Sequence, residues 1–371
     1  MQGQTDATGG READVEEIYR RLTSSPELLP WQFDVQQRRL LLACMDERAY
    51  RQAIFLDQRL DAAGKTRAFW VPLQKLVSDH GQPPGKIRPA RFIFHIGHCG
   101  STLLSQLLAD SRSILPVREP MSLRTLASAG RLLEQPQSFL SPAQWAEAVA
   151  TLLPLLTRSY SDSQHALIKA TSNCNSLAGA LLASHPEHRA ILVYVTAETY
   201  LASVLRPQSR DALYSFSQDR MLDMWRVAKD KVPPLHSLVP GELGAMNWCA
   251  SMVEFVKLRA DPDQARKLAW LEFDEFLGSQ RRGLQSLQAF FGIADPDDGD
   301  QATRQAAHLQ AYAKDPSLPF SPETRAAELR RSALANAVEI RQGLRWLERL
   351  LEAAPALRPL QPFFGHQLRS A

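Results

Sequence analysis

The stretch "FIFHIGHCGSTLLSQLL", residues 92–108, decides how the chain is read. It opens as a short buried strand, turns through Gly97 and Gly100, and continues as an amphipathic helix from Ser101 and Thr102. A glycine turn leading into a helix brings free backbone amides and the positive end of the helix dipole to one point, which suits a phosphate. The competing reading is a plain strand-to-helix turn whose glycines serve packing. The nucleotide-triphosphate pattern G-x-x-x-x-G-K-[ST] demands a lysine just before Ser101, where Gly100 stands instead. Kinases and ATPases need that cation together with Mg²⁺ and a downstream acidic residue. Here the strand "AILVYVT" ends in Thr196-Ala197. A donor with a singly bridged 5′-phosphate needs less compensation.

Outward from this turn the chain alternates. "RFIFHI", "HALIKA", "AILVYVT" and "KLAWLEF" are short apolar runs, each followed by a polar turn and a helical pattern. That alternation predicts an α/β fold of three layers, P-loop-like, with a central parallel sheet flanked by helices. In such sheets ligands bind beyond the carboxyl ends of the strands. "SPAQWAEAVATLLPLLTRSY" opens with an N-cap serine and a proline at the first helical position. The tail from Pro322 to Ala354 carries a long helical pattern interrupted by Gly343. Ahead of the sheet, residues 1–89 read as a mainly helical accessory region, with "QQRRLLLACMDERAYRQAIFLDQRL" as its clearest helical pattern and residues 1–10 disordered. The Pro/Gly linker "GQPPGKIRPA" separates it from the α/β domain, residues 90–371.

Composition narrows the function classes. The 371 residues are 44% hydrophobic and 22% charged, ample for a globular core. A net charge of +3 is too small to argue for nucleic acid, and no basic groove with interleaved aromatics appears. No run of eighteen apolar residues exists and the N-terminus is polar, so neither a membrane span nor a signal peptide is expected. Cys44, Cys99, Cys174 and Cys249 are far apart with no C-x-x-C pair, which fits reduced thiols in the cytoplasm and no metal site.

The turn resembles the 5′-phosphosulfate loop of sulfotransferases that use 3′-phosphoadenosine-5′-phosphosulfate (PAPS), usually a strand followed by Pro-Arg-Ser-Gly-Thr-Thr and a helix. His98, Cys99, Gly100, Ser101 and Thr102 fall on the last five of those positions. The resemblance extends over most of residues 90–371, through "VREP" (117–120), "LIKAT" (167–171), "SHPEHRAILVYVTAETYLASVL" (184–205), "LAWLEFDEFLGSQRRGLQSLQAFFGI" (268–293) and "AYAKDPSLPFSPETR" (311–325). It implies PAPS as donor, no metal, and a small-molecule acceptor bearing a hydroxyl or amine. Gly97 through Thr102 would hold the donor, and Ser203 would read its 3′-phosphate.

Two departures stand out. The loop arginine is His98, which carries charge only when protonated. The usual Arg-Asp-Pro after the 3′-phosphate strand is Thr196-Ala197-Glu198. Arg206 and Arg210 could supply the missing charge, or could belong to a solvated face. Sulfuryl transfer needs a base for the acceptor proton and a cation for the leaving phosphate. The resemblance assigns these to Glu119 and Lys169, with His98 as a third catalytic candidate. His95 is the second candidate for the base, and Glu119 could equally be a helix-start carboxylate before Pro120. Lys169 could be an ordinary strand-end lysine. Lys314 and Tyr312 would close over the nucleotide, and Cys99 fills a serine position without acting as a nucleophile. Residues 121–165 and the N-terminal region are candidates for the acceptor pocket. The alternatives are a P-loop kinase whose lysine comes from elsewhere and a non-catalytic nucleotide-binding member of the fold.

Overall fold

Apolar runs without alternation form strands that are buried on both faces, because neither side chain direction tolerates water. The computed structural model describes residues 15–365 apart from 62, 63, 65, 78–83 and 294–298. The segment expected to be disordered and the first residues of the Pro/Gly linker (81–83) therefore lie outside the described residues. Strands β1 (Leu28–Asp34), β2 (Arg39–Cys44) and β3 (Ala68–Pro72) form one antiparallel sheet. Strands β4 (Arg91–His95), β5 (Ile114–Arg118), β6 (His165–Lys169), β7 (Arg189–Tyr194) and β8 (Leu268–Glu272) form the central sheet in the order β5-β6-β4-β7-β8, every pair parallel. Phe92, Ile93 and Phe94 of β4 are all 0% exposed, so both faces of the central strand are covered. The helix Ser101–Ala109 packs on β4, β5 and β6, and Phe255 of the helix Pro240–Ala260 meets Phe94 at 5.6 Å between ring centroids.

From β4 the chain crosses to β5 on one side, and on the other side β4 is flanked by β7 and then β8. The carboxyl end of β4 is thus a topological switch point, where a crevice opens. The strand β5 carries no predicted element. Pro116 interrupts its pattern, but β5 is an edge strand, and an edge tolerates a residue without an N–H.

The N-terminal region corrects the helical expectation. Its leucine run is β2, paired with β1 and β3, and among the described residues helix is confined to Val15–Ser24, Glu47–Gln52 and 3₁₀ turns at Gln58–Asp61 and Leu73–Leu76. The hairpin turn between Asp34 and Arg39 lacks both glycine and proline. It closes because the Asp34 carboxylate accepts the amides of Gln36 and Gln37 at 3.1 and 3.0 Å, and Arg38 takes a left-handed φ of 47°. Alternation along these strands then splits their side chains. Leu29, Trp31 and Ala43 join the core of the central sheet, while Leu28, Phe33, Leu40 and Leu42 pack with Leu152 and Leu155 of the helix Pro142–Leu156.

In the tail the break falls at Asn336, between helices Pro322–Ala335 and Ala337–Ala353, and Gly343 lies within the second. A Cβ at Gly343 would sit 2.4 Å from the Gly241 carbonyl oxygen, so this glycine serves close helix packing and ends nothing.

Candidate functional site

The turn after β4 is built from left-handed residues. Gly97, His98 and Gly100 have φ of 84°, 52° and 75°. Successive amides in such a turn converge, and the helix Ser101–Ala109 that follows has no side chain capping its first turn. Gly100 is fixed twice over, since a Cβ there would lie 1.9 Å from Cζ of Phe273. Gly97 differs: a Cβ would meet only Ser172 Oγ, at 3.8 Å, so its Cα borders open space. Cys99 points inward, donating from Sγ to the Val193 carbonyl at 3.2 Å. Burial pushes its thiol up to about 11, which removes any nucleophilic role. Ser101 and Thr102 are 5% and 4% exposed at the start of the helix.

Three strand ends meet beside this turn. Lys169 closes β6 and is 1% exposed. Glu119 follows β5 with φ of 56°, and its amide donates to the Lys169 carbonyl at 2.7 Å. This unusual backbone bends the Glu119 side chain back so that Oε1 accepts from the Lys169 ammonium. His95 completes the group, with Nε2 3.4 Å from Lys169 Nζ and 4.0 Å from Glu119 Oε1. The Gly97 amide donates to His95 Nδ1 at 3.0 Å, which assigns the proton of the neutral ring to Nε2. Burial, reinforced by the Lys169 charge, holds His95 far below the ordinary histidine range. Burial also lowers Lys169, against the opposing pull of Glu119.

The sequence assigns Glu119 and Lys169 separate partners, whereas the fold makes them partners of each other. A lysine with no exposure spends its charge on the nearest carboxylate.

The other rim of the turn is cationic. Burial, then Lys314, Arg206 and Arg220 in that order, drop His98 to about 3, so the ring stays uncharged near neutrality. Lys314 sits in the turn between β9 (Ala311–Tyr312) and β10 (Asp315–Pro319). The Gln106 side-chain amide donates to the Ala313 carbonyl at 3.1 Å and so ties this hairpin to the helix Ser101–Ala109. Tyr312 is 41% exposed on the same hairpin. Arg206 donates to the Ser203 carbonyl at 3.1 Å and to its hydroxyl at 3.4 Å, and pairs with Glu328 at 2.9 Å. Arg210 is engaged by Glu339 instead, and no contact among the described residues joins it to the turn. Thr196, standing where the resemblance has arginine, caps the helix Ala197–Val204 by accepting the Thr199 amide at 3.2 Å.

Two features carry no sequence signal. Arg220, 5% exposed on the helix Ser217–Ala228, donates to Ser172 Oγ at 2.9 Å and places its charge beside His98 and His95. Phe55, from the N-terminal region, lies with its ring centroid 5.8 Å from Lys169 Nζ, and Arg59 stacks on the same ring at 3.4 Å. Neither follows from local spacing, since both positions acquire meaning only through tertiary contact. A cavity of about 400 Å³ lined by Val227, Val253, Lys257, Arg259 and Phe363 lies apart from these residues. No helix among the described residues is long and apolar enough to cross a membrane.

No family model and no curated protein matches the chain. Among solved structures it is similar to a sulfotransferase domain from the curacin biosynthetic pathway, with 12% identity and a TM-score of 0.40 over 68% of this chain and 98% of that one. A sulfotransferase from Alicyclobacillus acidocaldarius matches at 15% identity and 0.33, over 73% of this chain and 99% of that one. A third, from Mycobacterium tuberculosis H37Rv, matches at 13% and 0.34, over 66% and 76%. Likeness at this level leaves the functional reading to the residues of the turn.

Proposed function

We propose that the protein is a PAPS-dependent sulfotransferase acting on the hydroxyl or amine of a small cytoplasmic acceptor. One observation carries this reading. A lysine-free glycine turn, ringed by Arg206, Arg220 and Lys314, stands beside a carboxylate that a buried lysine holds in place. The residues suit an anionic ester, because the helix start is uncapped and the buried Nε of Arg220 has no partner. The donor, when bound, would supply an activated sulfuryl group.

Within this reading the amides from His98 to Thr102 and the hydroxyls of Ser101 and Thr102 hold the 5′-anion, which the open side of Gly97 lets approach. Arg206 and Ser203 are the residues for the 3′-phosphate, with Arg206 turning from Glu328 to do so. Lys314 closes the rim. Glu119 accepts the acceptor's proton at Oε1 or Oε2. Lys169 orients that carboxylate, while the neutral His95 presents Nε2–H to the pair. Phe55 walls the acceptor side.

Titration calorimetry with adenosine 3′,5′-bisphosphate, AMP and ATP tests the reading. The bisphosphate is expected to bind more tightly than AMP with no metal present. Equal affinities would remove the 3′-phosphate site, and ATP binding that requires Mg²⁺ would favour a kinase.

A further inference from the structure

A buried guanidinium without a carboxylate is costly, because desolvation is not repaid by Coulomb attraction. Arg220 is in that position. It is 5% exposed, and none of the ion pairs among the described residues includes it. The two acids on its own helix are already engaged elsewhere. Asp219 accepts from Ser128 and Asn173 at 2.7 and 2.8 Å, and Asp223 takes Arg131 in a bidentate pair. The partners left to Arg220 are neutral hydroxyls: Ser172 Oγ at 2.9 Å and, beside it, Tyr200. Its Nε has no partner at all.

The direction of this charge is fixed by its neighbours. Ser172 Oγ, which Arg220 holds, is also the nearest atom to the open side of Gly97, 3.8 Å from where a Cβ would stand. Arg220 therefore reaches the glycine turn from the side, one hydroxyl away from the open side of Gly97. His98 cannot supply charge there, being half-buried and neutral.

We propose that Arg220 is the fixed cation of the turn and binds the terminal sulfate of the donor, an assignment that rests on the donor reading above. The charge that a lysine or arginine would bring from within the turn comes instead from a helix that begins more than a hundred residues later in the chain. A rigid guanidinium suits a sulfate, whose oxygens accept two parallel hydrogen bonds.

Adenosine 5′-phosphosulfate and AMP differ by that sulfate, and calorimetry with both, on the full chain, isolates the contact. The wild-type protein is expected to prefer the phosphosulfate. Arg220→Met should weaken the phosphosulfate roughly 10–100-fold, the worth of a hydrogen bond to a charged group, and AMP by less than about threefold. Arg220→Lys should restore part of the preference. The melting temperature of the ligand-free protein gives a second readout. It should rise in Arg220→Met, because an uncompensated buried charge is gone, whereas a purely structural arginine would make it fall. An unchanged phosphosulfate-to-AMP ratio, or a lower ligand-free melting temperature with affinity retained, overturns the assignment alone. A wild-type protein that binds neither nucleotide overturns the donor reading and the assignment with it.

Discussion

The two sides of the crevice treat charge in opposite ways. On the acceptor side Lys169 and Glu119 neutralise each other, with a neutral His95 against them. On the donor side Arg220 has no acid and Lys314 is exposed on its hairpin, while only Arg206 is held by a carboxylate, which is 42% exposed. A compensated pair costs the fold less than a lone buried charge. A cation left with hydroxyls alone costs the fold something that an anion from outside can return. On the proposed function, this difference gives one half of the reaction to each wall.

Removing the N-terminal region tests whether the acceptor wall belongs to the same folding unit as the donor wall. Leu29, Trp31, Tyr50 and Leu56 are buried in the core of the central sheet. A chain beginning at Lys86 is therefore expected to lose cooperative melting altogether. A truncated protein that melts sharply and still binds adenosine 3′,5′-bisphosphate would show that the walls are separable.

Glu119→Gln comes next in size. Turnover should fall roughly 10²–10⁴-fold, the usual worth of a positioned base, with nucleotide affinity nearly unchanged. Lys169→Met should differ in kind: it removes the ammonium that positions the carboxylate but leaves the base itself, so turnover should fall less than in Glu119→Gln. If Glu119→Gln turns over at the wild-type rate, the base is elsewhere and His95 is the residue to replace.

The smallest effect concerns stability against pH. Burial depresses His98 and His188 to about 3, below an unfolded value near 6.5. Above pH 6.5 both are neutral in either state, and their contribution is fully present. As the pH falls below 6.5 the unfolded chain takes up protons that the folded one refuses, so stability declines down to about pH 3. At pH 5 the loss is about 2 kcal/mol for each histidine, at 1.36 kcal/mol per unit. Melting temperatures at pH 7 and pH 5 measure it, and His188→Asn, which can still accept the Ala90 amide, should flatten the slope. A slope unaffected by that substitution would assign the acid sensitivity to other groups.

What the sequence discloses follows from how local each feature is. The strand β4 and its turn are legible because an apolar run and two glycines sit side by side. The hairpin from Leu28 to Cys44 is hidden, since its turn is closed by a side-chain carboxylate in place of glycine. Glu119 and Lys169 are each visible as candidates, yet their pairing spans 50 residues and depends on β5 lying next to β6. Arg220 is one of many arginines until the helix carrying it is docked. Arg210, with the same local appearance as Arg206, goes to Glu339 instead of the turn.

Arg118, the last residue of β5, grips the end of the helix Glu47–Gln52. Its Nη1 donates to the carbonyls of Ala53 and Arg51 at 2.7 and 3.2 Å, and its own carbonyl accepts the Leu56 amide at 2.7 Å. The clasp has a consequence in time. During synthesis the first segment emerges well before the residue that fastens it, so its docking on the central sheet waits until position 118 has left the ribosome and β5 is in place. The aromatic wall of the crevice is made first and installed late.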